Sequence, residues 1–241
     1  MSHYGRSTQL PPVALALAPV TIVIVTFFQV QSLEALIGST ALLALTAAAH
    51  IIVARLVRDR GNIVQERLWQ DWGGNPAVQK LRWDGGRASR VAKLHRRVET
   101  MTRVPLPDRA AEEAGPEAAE DAYEDAVARM RELTRDQSQH PRVYAELVQY
   151  GATRNLYGLK PTGLVLAGSV LLAMGVMVML KSTGVMDVAW WPVVTSALGA
   201  TVVGLVWWFI VTPRLVRSSA DRYADALLAT AGEPSESTEG R

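Results

Sequence analysis

The feature that most limits what this chain can become is its alternation of apolar and polar sequence. Two apolar runs, Val13–Val30 and Ala35–Val57, precede a polar block from about Leu56 to Lys160, and two more, Thr162–Leu180 and Val188–Thr212, follow it. A helix needs about 20 apolar residues to cross a bilayer, and each run meets that length. The turn Gln31–Glu34 is too short for anything but an antiparallel hairpin, and the loop Lys181–Asp187 closes a second one. The expectation is an all-α chain with four transmembrane helices in two hairpins and a helical cytoplasmic domain inserted between them.

Composition matters only where it removes options. Among 241 residues there is no cysteine, so disulfides, thiolate zinc sites, iron–sulfur clusters and cysteine nucleophiles are excluded in this chain. A formal charge of +2 names no partner by itself. A cleaved signal peptide is the rival reading of the first run, but Phe27-Phe28-Gln29-Val30-Gln31 holds no small-x-small cleavage site.

Read in order, residues 1–12 form a cytoplasmic tail, 13–57 the first hairpin and 58–160 the cytoplasmic domain. Residues 161–212 form the second hairpin, 213–232 a C-terminal amphipathic helix and 233–241 a disordered tail. Pro19 should kink the first helix or lie near its cytoplasmic end. Thr40, Ala44 and Ala48 form one small-residue face, and Ser196, Ala200 and Gly204 another. Both suit close helix packing and a homo-oligomer. His50 reads as snorkelling towards Arg55 or as a proton-relay residue. Trp190-Trp191 and Trp207-Trp208 are about 25 Å apart along a helix, which predicts one tryptophan pair in each interfacial belt. Arg6, Arg55, Arg58, Arg60, Arg154, Lys160, Arg214 and Arg217 fall at one set of helix ends, against Lys181 alone at the other. By the positive-inside rule both termini and the polar block are cytoplasmic, in a bacterial inner (plasma) membrane.

Inside the block every apolar period is helical. Stripes are expected at Val64 and Leu68, at Val91, Leu94, Val98 and Met101, at Tyr123, Val127, Met130 and Leu133, and at Val143, Leu147 and Tyr150. Past Pro213, Val216, Ala220, Tyr223 and Leu227 share a face. Glycine pairs at Gly73-Gly74 and Gly85-Gly86 should stop the shorter helices.

Three features are candidates for function. Lys80, Arg82, Arg87, Arg90, Arg96 and Arg97, with Lys93 and Arg103 nearby, make a basic cluster opposed only by Asp84 and Glu99. It suits anionic lipid or a nucleotide ligand; alternatively it is a solvated face paired with the acidic stretch Glu117–Glu132. Trp69-x-x-Trp72-Gly73-Gly74-x-Pro76 reads as an aromatic anchor at a helix C-terminus, and lacks the Lys-Ser/Thr of a Walker loop. Tyr150 to Pro161 reads as an elbow into the membrane, with Gly151 and Gly158 as flexure points and Arg154, Asn155 and Lys160 as junction residues.

The Trp-x-x-Trp-Gly-Gly-x-Pro motif, followed by Leu81-Arg82, and the elbow Arg154-Asn155-Leu156-Tyr157-Gly158-Leu159-Lys160-Pro161 resemble an uncharacterised family of small bacterial multi-pass membrane proteins. The resemblance implies a shared architecture and carries no activity. His95 with Glu99 and Asp136 with His140 each offer two ligands at helical spacing, one short of a zinc site. No catalytic, cofactor or metal residue is assigned. The expectation is a non-enzymatic membrane effector or regulator whose cytoplasmic domain senses or binds. The alternatives are a membrane-bound enzyme or small transporter whose site forms only in three dimensions, and a passive anchor for a partner protein.

Overall fold

The computed structural model describes residues 3–28, Val57 and 60–232, and among them every regular element is helical. The turn Gln31–Glu34, the face Thr40–Ala44–Ala48, His50, Arg55 and the tail 233–241 lie outside the described residues. The helices are α1 (His3–Phe28), α2 (60–72), α3 (Pro76–Gln79), α4 (Ala88–Thr102), α5 (Arg109–Ala114), α6 (Pro116–Leu133), α7 (Pro141–Ser182), α8 (Trp190–Leu205) and α9 (Pro213–Ala229). A π-helical segment, Val206–Ile210, continues α8, and a 3₁₀ turn, Thr230–Gly232, ends α9. The chain divides into two compact units.

The first unit comprises residues 1–65 and 151–216. Two described helices are long and apolar enough to cross a membrane, α7 and the stretch Trp190–Ile210; α1 holds a shorter apolar stretch, Pro11–Phe27. These helices turn large apolar side chains outward. Leu172 is 72 % exposed, Phe209 70 % and Val165 66 %. They turn small or interlocking ones inward. Asn155, Leu159, Gly163, Ala167, Val170 and Met174 form the buried stripe of this part of α7, at spacings of three and four that keep them on one face. On α8, Ser196 and Ala200 are fully buried. The Ser196 hydroxyl lies 3.0 Å from that of Thr26 on α1. A Cβ on Gly199 would come within 2.7 Å of the Ile22 side chain, and one on Gly204 would just touch Ala167. Ser196 and Ala200 of the small face of α8 are therefore buried within the chain, while Gly204 is half-buried beside Ala167 of α7.

Three further expectations change in this unit. α1 starts at His3 and runs through Pro11, Pro12 and Pro19 without a break, so the helix begins well before the apolar run. The elbow at Tyr150–Pro161 is an uninterrupted part of α7, since neither Gly151 nor Gly158 leaves helical geometry. The second tryptophan pair is split, with Trp207 fully buried and Trp208 63 % exposed. Trp207 packs over Gly163 of α7, whereas Trp208, turned on around the helix axis, does not share that packing.

The second unit comprises 66–150 and 217–241 and has a core of its own. Ala77, Val78 and Leu81 meet Val98 of α4, Tyr123, Val127 and Met130 of α6, Val143 at the start of α7, and Ala224, Leu227 and Leu228 of α9. The C-terminal amphipathic helix is thus a wall of this core. α4 shows why the pattern folds as it does: Val91, His95, Val98 and Thr102 are buried while Arg87, Arg90, Lys93, Arg96 and Arg97 are exposed. The helix stops at Arg103, whose φ of 62° puts a non-glycine residue in the left-handed region, a conformation costing about 1–2 kcal/mol. Val104-Pro105-Leu106-Pro107 then prevents continuation. The short helix expected over Pro76–Trp83 is shorter, ending at Gln79, and Leu133 is 38 % exposed rather than part of the α6 stripe.

Candidate functional site

The Trp-Gly-Gly motif is a helix stop. The Gly74 N–H donates to the Trp69 carbonyl at 2.7 Å and the Gly73 N–H to that of Gln70 at 3.2 Å, the paired bonds of a Schellman cap. Gly73 and Gly74 have φ of 77° and 120°, which is why both must be glycine. Asn75 then caps α3, its Oδ1 accepting from the Ala77 N–H at 3.0 Å, with Pro76 where the missing N–H costs nothing. Gln79 Nε2 donates to the Trp72 and Gly74 carbonyls, and Arg82 Nη1 donates to the Gly73 carbonyl at 2.9 Å. Trp72 lies under Arg217, whose guanidinium carbon is 5.1 Å from the ring centre.

Arg82 also forms a fork with Glu120 of α6: Nε donates to Oε2 at 2.8 Å and Nη2 to Oε1 at 2.6 Å. That hydrogen-bonded pair raises the guanidinium pKa further above its already high value. Lys80 pairs with Asp225 of α9. Beside the Arg82–Glu120 pair lies a cleft of about 400 Å³, lined by Trp69, Gly73, Gly74, Asn75, Arg82 and Glu124 among others. The Trp69 Nε1–H is buried there without a hydrogen-bond partner among the described residues.

On the other side of Arg82, Tyr123 donates from its hydroxyl to Glu112 at 2.5 Å, and the Trp83 N–H reaches the same carboxylate at 3.2 Å. Burial first, and the Glu112 hydrogen bond second, push the Tyr123 phenol above its ordinary range. His95 completes the cluster, with Nε2 2.6 Å from the Leu81 carbonyl and its ring edge-on to Trp83. The sequence offered His95 only as a possible ligand beside Glu99 and Tyr123 only as part of an apolar stripe, and nothing local signals that Glu112, Glu120 and Trp83 gather around them. Exposed Asp136, in the turn before α7, accepts from Ser138, and these bonds hold its carboxyl below the usual range.

The six basic candidates therefore separate. Lys80 and Arg82 are spent on Asp225 and Glu120. Arg87, Arg90, Arg96 and Arg97 lie exposed on α4, and no described carboxylate stands within ion-pair distance of them. Of the expected pairing with the acidic stretch, the described contact is Arg82–Glu120.

Of the candidate junction residues, Trp69 and Trp72 belong to the second unit, whereas Arg154, Asn155 and Lys160 fall in the first, where Asn155 and Lys160 donate to backbone carbonyls. Pro12 has no N–H for the Thr8 carbonyl four residues back; Asn155, 3 % exposed, donates to that carbonyl from Nδ2 at 3.3 Å. The π segment ends at Ile210, with Val211 already out of helical geometry, so the Trp208 carbonyl is one of the unserved acceptors of a helix C-terminus. Lys160 Nζ donates to Trp208 O at 3.1 Å and to Val211 O at 2.8 Å. Arg154 donates to Gln65 Oε1 at 2.5 Å. A Cβ on Gly158 would stand 3.1 Å from the Arg60 and Gly61 backbone, and one on Gly163 would stand 2.2 Å from the Trp207 ring. The Arg-Asn-Leu-x-Gly-Leu-Lys-Pro stretch is thus the place where α1, α2 and the π segment meet α7. Among the described residues no group of three or more His, Asp or Glu side chains is placed to hold a metal ion. The chain matches no protein-family model, no curated protein and no solved structure.

Proposed function

We propose that the chain is a multi-pass protein of a bacterial inner (plasma) membrane, with four spans in two hairpins and both termini cytoplasmic. Its charged helical unit is a cytoplasmic sensing or binding module, and the whole is a non-enzymatic membrane effector or regulator. One observation carries this reading: the two units have opposite surfaces. The unit holding α7 and α8 turns Val165, Leu172, Leu198 and Phe209 outward and has no charged residue within Thr162–Leu180 or Val188–Thr212. The other hides its apolar residues and covers itself with Lys, Arg, Asp and Glu. A soluble protein rarely exposes so continuous an apolar surface unless something covers it, and lipid is the covering that uncharged helices of this length fit. The module reading is supported by the way Arg82, Glu120, Glu112 and Tyr123 bond one another and so brace α3, α5 and α6.

The natural absence of cysteine makes the test direct. Single cysteines at Ser7, Arg109, Thr183 and Ser235 are probed in intact cells with a membrane-impermeant maleimide. Thr183→Cys should label from outside, and the other three only after lysis. External labelling of Arg109→Cys overturns the topology.

A further inference from the structure

We propose that the outward face of α4 is a docking surface for the anionic headgroups of the bilayer that holds the chain. This rests on the membrane reading above. α4 puts Arg90, Lys93, Arg96 and Arg97 on its exposed side, with Arg87 exposed at its N-cap. Its sole acid, Glu99, is turned aside to accept from the Leu106 N–H at 2.8 Å. Cations elsewhere in the unit are either paired, as Lys80, Arg82 and Arg222 are, or interspersed with acids, as Arg129 and Arg131 are between Asp125 and Glu132. Among the described residues only α4 and its cap gather five cations outside ion-pair distance of a carboxylate.

The occupant follows from chemistry and from chain connectivity. Single-stranded nucleic acid would want aromatic rings for its bases. The nearest, Trp83, is committed, its Nε1 donating to the Pro107 carbonyl at 3.0 Å and its ring against His95. Long, mobile Arg and Lys side chains suit a plane of phosphates, where each cation strengthens binding by roughly fivefold. The chain enters this unit at Glu66, leaves it at Tyr150 and re-enters at Arg217, each time directly from the apolar unit. A bilayer around that unit is therefore a permanently tethered partner at high effective concentration.

The test uses the full chain in nanodiscs, with an environment-sensitive bimane on Ser89→Cys, an exposed α4 position, and headgroup-nitroxide lipid as quencher. Discs of phosphatidylcholine are compared with discs rich in phosphatidylglycerol. Quenching should rise in the anionic discs and fall back in about 1 M salt, where screening acts within about 3 Å. The triple change Arg90→Gln, Arg96→Gln, Arg97→Gln should weaken the association roughly 100-fold, as three such cations imply. Its helical circular dichroism should not change, because none of the three lies in the core. A reference label on Leu172→Cys, quenched by acyl-chain nitroxide in both lipids, reports the span itself. If the Leu172 label is not quenched, the membrane reading falls and the docking surface with it. If it is quenched but Ser89 responds equally in both lipids, or keeps its response through the triple change and high salt, the docking surface alone is overturned. An acidic protein or an RNA that binds α4 while Ser89 stays away from lipid is the same negative result.

Discussion

The two units solve one problem, unpaired backbone, in different ways. In the charged unit the helix ends are served locally: Gly73 and Gly74 fold the end of α2 back on itself, Asn75 caps α3, and Asp108 caps α5 by accepting from the Ala111 N–H at 2.8 Å. In the apolar unit the Thr8 carbonyl, which Pro12 cannot serve, and the Trp208 carbonyl at the end of the π segment accept from far along the chain, from Asn155 and Lys160. Water can stand in for a missing partner at the exposed helix ends of the charged unit. It cannot in the packed surroundings of Asn155, 3 % exposed, where an unpaired buried group costs about 1–3 kcal/mol.

Three experiments would break or sharpen that contrast. The largest effect belongs to packing in the apolar unit. Trp207 fills the space over Gly163, so Trp207→Ala should cost about 3–5 kcal/mol, and Gly163→Leu should be at least as damaging because ring and side chain claim one volume. Thermal unfolding in detergent, followed by an apolar-unit label, should show both. An unchanged melting temperature for Gly163→Leu would mean Trp207 does not lie there.

Next comes Asn155. Its replacement by Leu removes the Nδ2 donor to the Thr8 carbonyl and should cost about 1–3 kcal/mol. The discriminating partner is Pro12→Ala, which restores an N–H to that carbonyl. In the Pro12→Ala background, Asn155→Leu should cost markedly less, and the double-mutant cycle should return a coupling energy of about 1 kcal/mol or more. Additive effects would show that Asn155 is a packing residue and that the solvent argument above is wrong.

The smallest effect tests the charged unit through pH. The Tyr123 phenol is raised in the fold above its unfolded value of 10.0, so the neutral form is the one the fold favours. Its contribution is complete below that unfolded value and is lost as pH rises beyond it. Tyr123→Phe should cost about 1.5 kcal/mol at neutral pH, the lower end for a hydrogen bond to a charged group, and should flatten the loss of stability between pH 9 and 11. An alkaline profile identical to that of the parent chain would place the titrating group elsewhere.

How much of this was legible beforehand depends on distance along the chain. The helices of the charged unit announce themselves because their signals are local: Val91 and Val98 lie seven apart, and the glycine pair closes α2 within its own last turn. The inward stripe of α7 could be read the same way from Asn155, Leu159, Gly163 and Ala167. The candidate sites were less legible, since Lys80, Arg82, Arg90 and Arg96 look alike in sequence. They part company only because Asp225 and Glu120, from distant helices, arrive beside the first two.

What the amino-acid order determined alone is the all-helical character, the segregation of apolar from charged stretches and, Leu133 apart, the buried faces of α4, α6 and α9. These rest on composition and on periods of three to four residues, which need no knowledge of neighbours. The tertiary structure decided which small residues of α8 are buried, which tryptophan is hidden, and which carbonyl Asn155 and Lys160 serve. It also decided which arginines remain unneutralised. Each of those depends on pairs 37 or more residues apart, such as Gly204 with Ala167, Arg82 with Glu120 and Asn155 with Thr8. No local period encodes a partner at that separation; only the packed chain brings the two groups together.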